Sequence, residues 1–144
     1  MLLLASSSPR RSELLQKAGY DFKVVPANVK EIVPPGTTPL KIVEILATAK
    51  AEAVAKNNPD DTVLAADTLV VFKSRVLGKP KNEEEAKSML KLLSANVHQV
   101  YTGYCIIKGN KLFRGHECTS VEFYSLKPEE IDAYVKTGDR KSVV

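Results

Sequence analysis

The stretch Val63-Leu64-Ala65-Ala66-Asp67-Thr68-Leu69-Val70-Val71 decides the fold. From Thr62 to Phe72 apolar residues occupy both alternating faces, the pattern of a central strand covered on both sides. A carboxylate on such a strand is costly unless it is paired, protonated or bound to a metal. Asp67 therefore needs a partner, and a structural salt bridge to Lys50 or an arginine stands beside a role as general base or metal ligand.

Working outward, the neighbouring segments alternate between strand and helix. Leu2 to Ala5 reads as a short buried strand, and Ser8-Pro9 as a helix N-cap with proline at the first helical position, stopped at Gly19. Phe22 to Val25 is a second strand. Thr38-Pro39 repeats the cap-then-proline signature and opens a long helix to about Lys56, closed by Asn57-Asn58-Pro59. Arg75 to Leu77 is a hairpin partner for the central strand. Asn82 with Glu85 resembles a capping box, and Met89, Leu90 and Leu93 supply the buried stripe of the helix that follows. Val100 to Lys108, a Gly109-Asn110 turn, Leu112-Phe113 and Thr119 to Tyr124 predict an antiparallel meander, and a last helix runs from Pro128 to about Lys136. The expected class is α/β, with a mixed parallel and antiparallel sheet flanked by helices.

At 144 residues the chain has the length of one domain, residues 1–144, with enough surface to hide for a core without staples. Its 44% hydrophobic and 26% charged residues exclude collagen-like, coiled-coil and disordered classes. The net charge of +4 comes from scattered lysines and arginines, without the long basic run or stacking aromatics of a nucleic-acid binder. Cys105 and Cys118 form neither a disulfide framework nor a zinc spacing, so a reducing cytoplasm is the expected setting. The opening Met1-Leu2-Leu3-Leu4-Ala5 has no basic lead, and no stretch nears the roughly 20 apolar residues that span a bilayer.

Four places carry candidate chemistry. Ser6-Ser7-Ser8-Pro9-Arg10-Arg11 lies between strand and helix, where free backbone N–H groups and the helix dipole favour a phosphate. Arginines can grip phosphate oxygens through two parallel hydrogen bonds. A capped helix with solvated arginines reads the same residues without a ligand, yet cations in a first turn oppose the dipole by roughly 0.3 to 1 kcal/mol each, which favours a bound anion. Lys50 is the one charge among positions 43, 46, 47, 50, 53 and 54, a single helical face, and either snorkels or points into a polar pocket. Asp67-Thr68 is the third, with Glu31 a weaker second carboxylate. Gly78-Lys79-Pro80 is the fourth, a lysine on a turn of fixed geometry. His98 and His116 show no metal-site spacing, and no Walker loop, nucleophile elbow or dinucleotide fingerprint is present.

Leu4-Ala5-Ser6-Ser7-Ser8-Pro9-Arg10-Arg11, Ala49-Lys50-Ala51, Ala66-Asp67-Thr68 and Leu77-Gly78-Lys79-Pro80, in that order and with Leu93-Ser94 and Thr102-Gly103, resemble the Maf family of nucleoside triphosphate pyrophosphatases. The family is related in fold to the inosine triphosphate pyrophosphatases. The resemblance implies hydrolysis between the α and β phosphates, giving a monophosphate and pyrophosphate with Mg²⁺ or Mn²⁺. It makes Asp67 the catalytic acidic residue, places Ser6, Ser8, Arg10, Arg11, Lys50 and Lys79 around the phosphates, and gives Glu31 and Asp67 to the metal. Arg10 and Thr68 are similar to the subgroup acting on dTTP and UTP, which implies pyrimidine substrates, modified forms included, and removal of noncanonical nucleotides.

Family members usually continue through an Asp-Lys-Ala-Gly-x-Tyr-Gly-Ile-Gln-Gly motif that this sequence lacks, so the expectation is a Maf-like fold incomplete at its carboxyl end. A catalytically impaired nucleotide-binding or regulatory module, tied to cell division or septum formation, is the alternative. A homodimer is compatible with either.

Overall fold

The computed structural model describes residues 1–78 and 80–136. Its sheet is built outward from β1 (Leu2–Leu4), which runs parallel to both β2 (Phe22–Val24) and β3 (Thr62–Phe72). Leu4 pairs with Val24 on one side and Leu64 on the other, and the Ala5 N–H continues the ladder to the Leu64 carbonyl at 2.8 Å. β5 (Val97–Lys108) and β6 (Lys111–Glu122) complete the order β2-β1-β3-β5-β6. β4 (Arg75–Leu77) pairs antiparallel with the end of β3, Val71 opposite Val76. The sheet is mixed, as its sequence predicts, and four helices accompany it: α1 (Pro9–Lys17), α2 (Pro39–Ala55), α3 (Glu83–Leu93) and α4 (Pro128–Lys136).

The residues group into two compact units, which share the long strands β3, β5 and β6. The first comprises Met1–Thr68 with Tyr101–Glu117. Its core joins Leu3 and Ala5, Val63 and Ala65 of β3, Ala47, Ala51 and Val54 of α2, and Cys105 and Ile107 of β5. Burying a leucine or valine there contributes about 1.5 to 3 kcal/mol each, while the small alanines let α2 approach closely. Gly103 marks the closest approach: a Cβ there would lie 2.3 Å from the Val43 carbonyl carbon and 2.4 Å from its oxygen. The buried face of α2 is broader than the apolar stripe suggests, taking in Glu44 and Thr48 as well as Val43, Leu46 and Ala47.

The second unit comprises Leu69–Val100 and the described residues from Cys118 on. Lys73 and Ser74 both take positive φ, 49° and 64°, as a two-residue hairpin between β3 and β4 requires. Asn82 caps α3 as its sequence predicts, accepting from the Glu85 N–H at 2.8 Å, while the Glu85 carboxylate accepts from the Lys81 N–H at 2.6 Å. Ala86 and Leu90 of α3 pack on Ile131 and Val135 of α4. His98 is fully buried, edge-on to Phe123 with ring centroids 4.9 Å apart.

The expected meander is one long hairpin. β5 and β6 have 12 residues each, joined at Gly109, with φ of +62°, and Asn110. The polar run Arg114-Gly115-His116-Glu117 reads as a break, but an edge strand needs backbone pairing on one side and no apolar alternation. Gly115 gives the Tyr104 ring its place, since a Cβ there would fall 2.3 Å from the phenol oxygen. Cys105 is buried, whereas Cys118 is exposed.

Candidate active site

The parallel register brings the first constellation beside the central strand. β1 ends at Leu4 opposite Leu64, so the polar segment after it runs alongside the part of β3 that carries Asp67 and Thr68. Ligands of parallel sheets gather at these carboxyl ends of strands. Ser6 is buried, and its Oγ accepts from the Ser8 backbone N–H and from Arg11 Nη1, both at 3.2 Å. The other arm of the same guanidinium, Nη2, donates to Thr68 Oγ1 at 2.9 Å. Arg11 is thereby held at two points, one just beyond the end of β1 and one within β3. Burial pushes its guanidinium below the ordinary value, and the charge of Asp67 acts in the opposite direction.

Asp67 is only 4% exposed, and its Oδ1 accepts from Lys50 Nζ at 2.8 Å. The partner demanded by the sequence is therefore Lys50, with Arg11 as a second nearby cation. α2 makes this pairing because its close-packed alanines bring the middle of the helix onto the core beside β3. Two cations, one carboxylate and a set of hydroxyls meet in one unit. Such a group suits a substrate that carries several negative charges and needs one carboxylate near its reacting bond.

Of the remaining predicted residues, Ser8 occupies the N-cap of α1 but forms no side-chain cap hydrogen bond, and Pro9 follows at the first position. No acidic residue lies in that helix's first turn to answer the dipole. Arg10 is exposed and is not tied into the Arg11 network. Glu31 is exposed between β2 and α2, and among the described residues no hydrogen bond or ion pair joins it to Asp67. Lys79 lies outside the described residues. No group of three or more His, Cys, Asp or Glu gathers as a metal cage among the described residues. Asp67 and Glu31 are hard oxygen donors, a set that fits Mg²⁺ or Mn²⁺ shared with substrate phosphates, because Mg²⁺ is commonly held by one or two carboxylates and phosphate oxygens rather than by the protein alone.

Two features escape the sequence reading. Thr102 of β5 places its Oγ1 3.4 Å from Thr68 Oγ1, a meeting set by strand order that no sequence spacing reveals. Glu44, on the buried face of α2, pairs through its carboxylate with His116 Nδ1 of β6. That hydrogen bond holds the Glu44 carboxyl below its usual range, against the opposing effect of burial, with Lys41 and Arg114 adding to it. The signal was present as a charge at position 44, one residue from Val43 on the same helix.

Nearly the whole length of the chain matches known proteins. A family model described as Maf-like protein matches residues 1–143. A protein of Bacillus cereus strain AH820 named dTTP/UTP pyrophosphatase is 52% identical over 138 residues, which are 96% of this chain and 72% of that protein. A protein of the same name from Bacillus anthracis is likewise 52% identical over 138 residues, with the same shares of each chain. Among solved structures, the Ham1 protein of Staphylococcus aureus superposes with a TM-score of 0.56 at 17% identity, covering 96% of this chain and 97% of its own. A HAM1 protein from Coxiella burnetii gives 0.51 at 17% identity, covering 96% and 93%. These two likenesses concern the fold, whereas the family match takes in residues 1–143 and the 52% identity extends over 138 residues: the chain belongs to the Maf-like protein family.

Proposed function

We propose that the chain is a nucleoside triphosphate pyrophosphatase that hydrolyses dTTP and UTP to the monophosphate and pyrophosphate, in the clearance of noncanonical pyrimidine nucleotides. The observation that carries this reading is the joining of Asp67 to Lys50 at 2.8 Å in the same unit as an Arg11 held by Ser6 and Thr68. The names of the relatives that share 52% of its residues support the same substrates.

In this mechanism the phosphate chain lies against the start of α1, where backbone N–H groups and the helix dipole face it. Ser6, Ser8, Arg10, Arg11, Lys50 and Lys79 are the proposed phosphate-binding set. Asp67 takes a proton from water as the water oxygen bonds to phosphorus at the α–β bridge. The bridging P–O bond breaks with its electron pair leaving on the departing group. Lys50 and Arg11 offset the charge that builds there. A divalent cation held by Asp67 and Glu31 together with phosphate oxygens would neutralise part of the triphosphate charge. The pyrimidine is sensed by Arg10 and Thr68.

Among the described residues no helix is long and apolar enough to cross a membrane. The two free thiols fit a reducing cytoplasm as the proposed location. A panel of nucleoside triphosphates, assayed for pyrophosphate release with Mg²⁺ and with Mn²⁺, tests the proposal: dTTP and UTP should stand above the purine triphosphates. Binding of UTP without release of pyrophosphate would replace it with a non-catalytic nucleotide-binding module.

A further inference from the structure

We propose that Thr102 is a further substrate-binding residue, whose hydroxyl donates a hydrogen bond to an acceptor oxygen of the nucleotide. The inference rests on the pyrophosphatase reading for the identity of the ligand and on the position of the hydroxyl beside the Arg11–Thr68 contact for the role of the residue. Arginine has donors and no acceptor, so in the 2.9 Å contact between Arg11 Nη2 and Thr68 the threonine oxygen accepts. The Thr68 proton is then turned away from Arg11; Thr102 Oγ1 lies 3.4 Å from Thr68 Oγ1, and either hydroxyl of that pair can be the donor. Arg11, Thr68 and Thr102 thus form one polar group with Thr102 at its outer end, and whenever the Thr102 hydroxyl is not turned to Thr68 its proton is available to a ligand.

In that arrangement this end of the network offers a proton. Together with the guanidinium it favours ligand oxygens that only accept, such as phosphate oxygens or the carbonyl oxygens of uracil and thymine, over an amino group. A separation of 3.4 Å is long for an O–H···O hydrogen bond, whose usual value is about 2.7 to 2.8 Å. The pair therefore opens easily to a ligand oxygen. Its backbone, in contrast, is fixed: the next residue, Gly103, lies against the main chain of α2 at Val43 and Glu44, leaving no room even for a Cβ. The hydroxyl is thus presented from a rigid strand, at one side of the strand that carries Asp67.

Calorimetric titration of the parent chain, Thr102→Val and Thr102→Ser with α,β-methylene-UTP and with inorganic tripolyphosphate, each with Mg²⁺, tests the proposal. Valine keeps the branched shape and strand preference while removing the hydroxyl. Thr102→Val should weaken binding about tenfold, as loss of one useful hydrogen bond does, and Thr102→Ser should stay within about threefold of the parent. Weakening with both ligands assigns the acceptor to phosphate, and weakening with the nucleotide alone assigns it to the pyrimidine; either supports the role. Equal binding of both ligands by parent and Thr102→Val overturns it. Circular dichroism melts establish that the variant is folded, and Thr102→Ala is read in the same way should valine not be accommodated. A parent that binds the analogue but releases no pyrophosphate from UTP sinks the pyrophosphatase reading while the Thr102 comparison still stands. A parent that binds neither ligand overturns both.

Discussion

Lys50 Nζ stands 2.8 Å from Asp67 Oδ1, tying the middle of α2 to the middle of β3 through a largely buried ion pair. Removing one member of such a pair leaves the other uncompensated, at a cost of about 3 to 5 kcal/mol. Lys50→Met should therefore lower the unfolding free energy by about that amount, and Lys50→Met combined with Asp67→Leu should recover most of it. Chemical denaturation of the parent, the two single variants and the double variant checks this. Additive losses would show that the pair is not coupled.

Arg11 reaches Ser6 with one arm and Thr68 with the other. A lysine keeps the charge but cannot make both contacts from one rigid fork. Arg11→Lys should weaken triphosphate binding about tenfold with little change in stability, measured by calorimetry and thermal melts. Unchanged affinity would place Arg11 outside the phosphate site.

His98 is fully buried with both ring nitrogens lacking a hydrogen-bond partner among the described residues, and burial pushes its pKa below 6.5. Because the folded pKa is the lower one, the unfolded chain binds more protons in the window below about 6.5, and stability falls there as pH falls. Above that value the imidazole is neutral in both states and contributes no slope. Denaturation at pH 8, 6.5 and 5.5 should show a decline between the last two of at most about 1.4 kcal/mol per pH unit from this residue, which His98→Leu should remove. A slope that persists unchanged in His98→Leu would assign it to other groups.

Gly103 sits where a Cβ would meet the Val43 carbonyl carbon at 2.3 Å. Since the obstacle is main chain, the helix itself must move, and Gly103→Ala should destabilise by about 1 to 3 kcal/mol. Its effect on triphosphate binding should exceed that of Gly109→Ala, which lies at a turn with nothing within 4 Å. Equal effects on binding would separate the Thr102 strand from the site.

Much of this arrangement was legible in the chain because local rules and tertiary context agree. β3 is readable from an apolar run interrupted by Asp67 and Thr68, and α3 from Asn82, which caps as its spacing implies, while the Glu85 carboxylate takes the Lys81 N–H in place of the Asn82 N–H of a capping box. Asp67 announced its own need for a partner, and Lys50 stood out as a charge in an apolar stripe. The rest depends on strand order, which sequence periodicity does not encode. Thr68 and Thr102 are 34 residues apart and meet only because β5 lies next to β3. β6 reads as separate pieces in the sequence because its polar residues sit on an edge strand, where pairing rather than burial maintains the structure. Glu44 gives no such signal, because a charge beside an apolar stripe reads as solvated until a partner such as His116 arrives from a distant strand.

The proposed activity depends on Asp67 activating water for cleavage between the α and β phosphates. Pyrophosphate release from UTP and dTTP, measured with Mg²⁺ for the parent chain and for Asp67→Asn after both are shown to be folded, tests it most directly. The parent should release pyrophosphate and the variant should lose about a hundredfold or more of that rate, with triphosphate binding retained. An Asp67→Asn variant as active as its parent would contradict it.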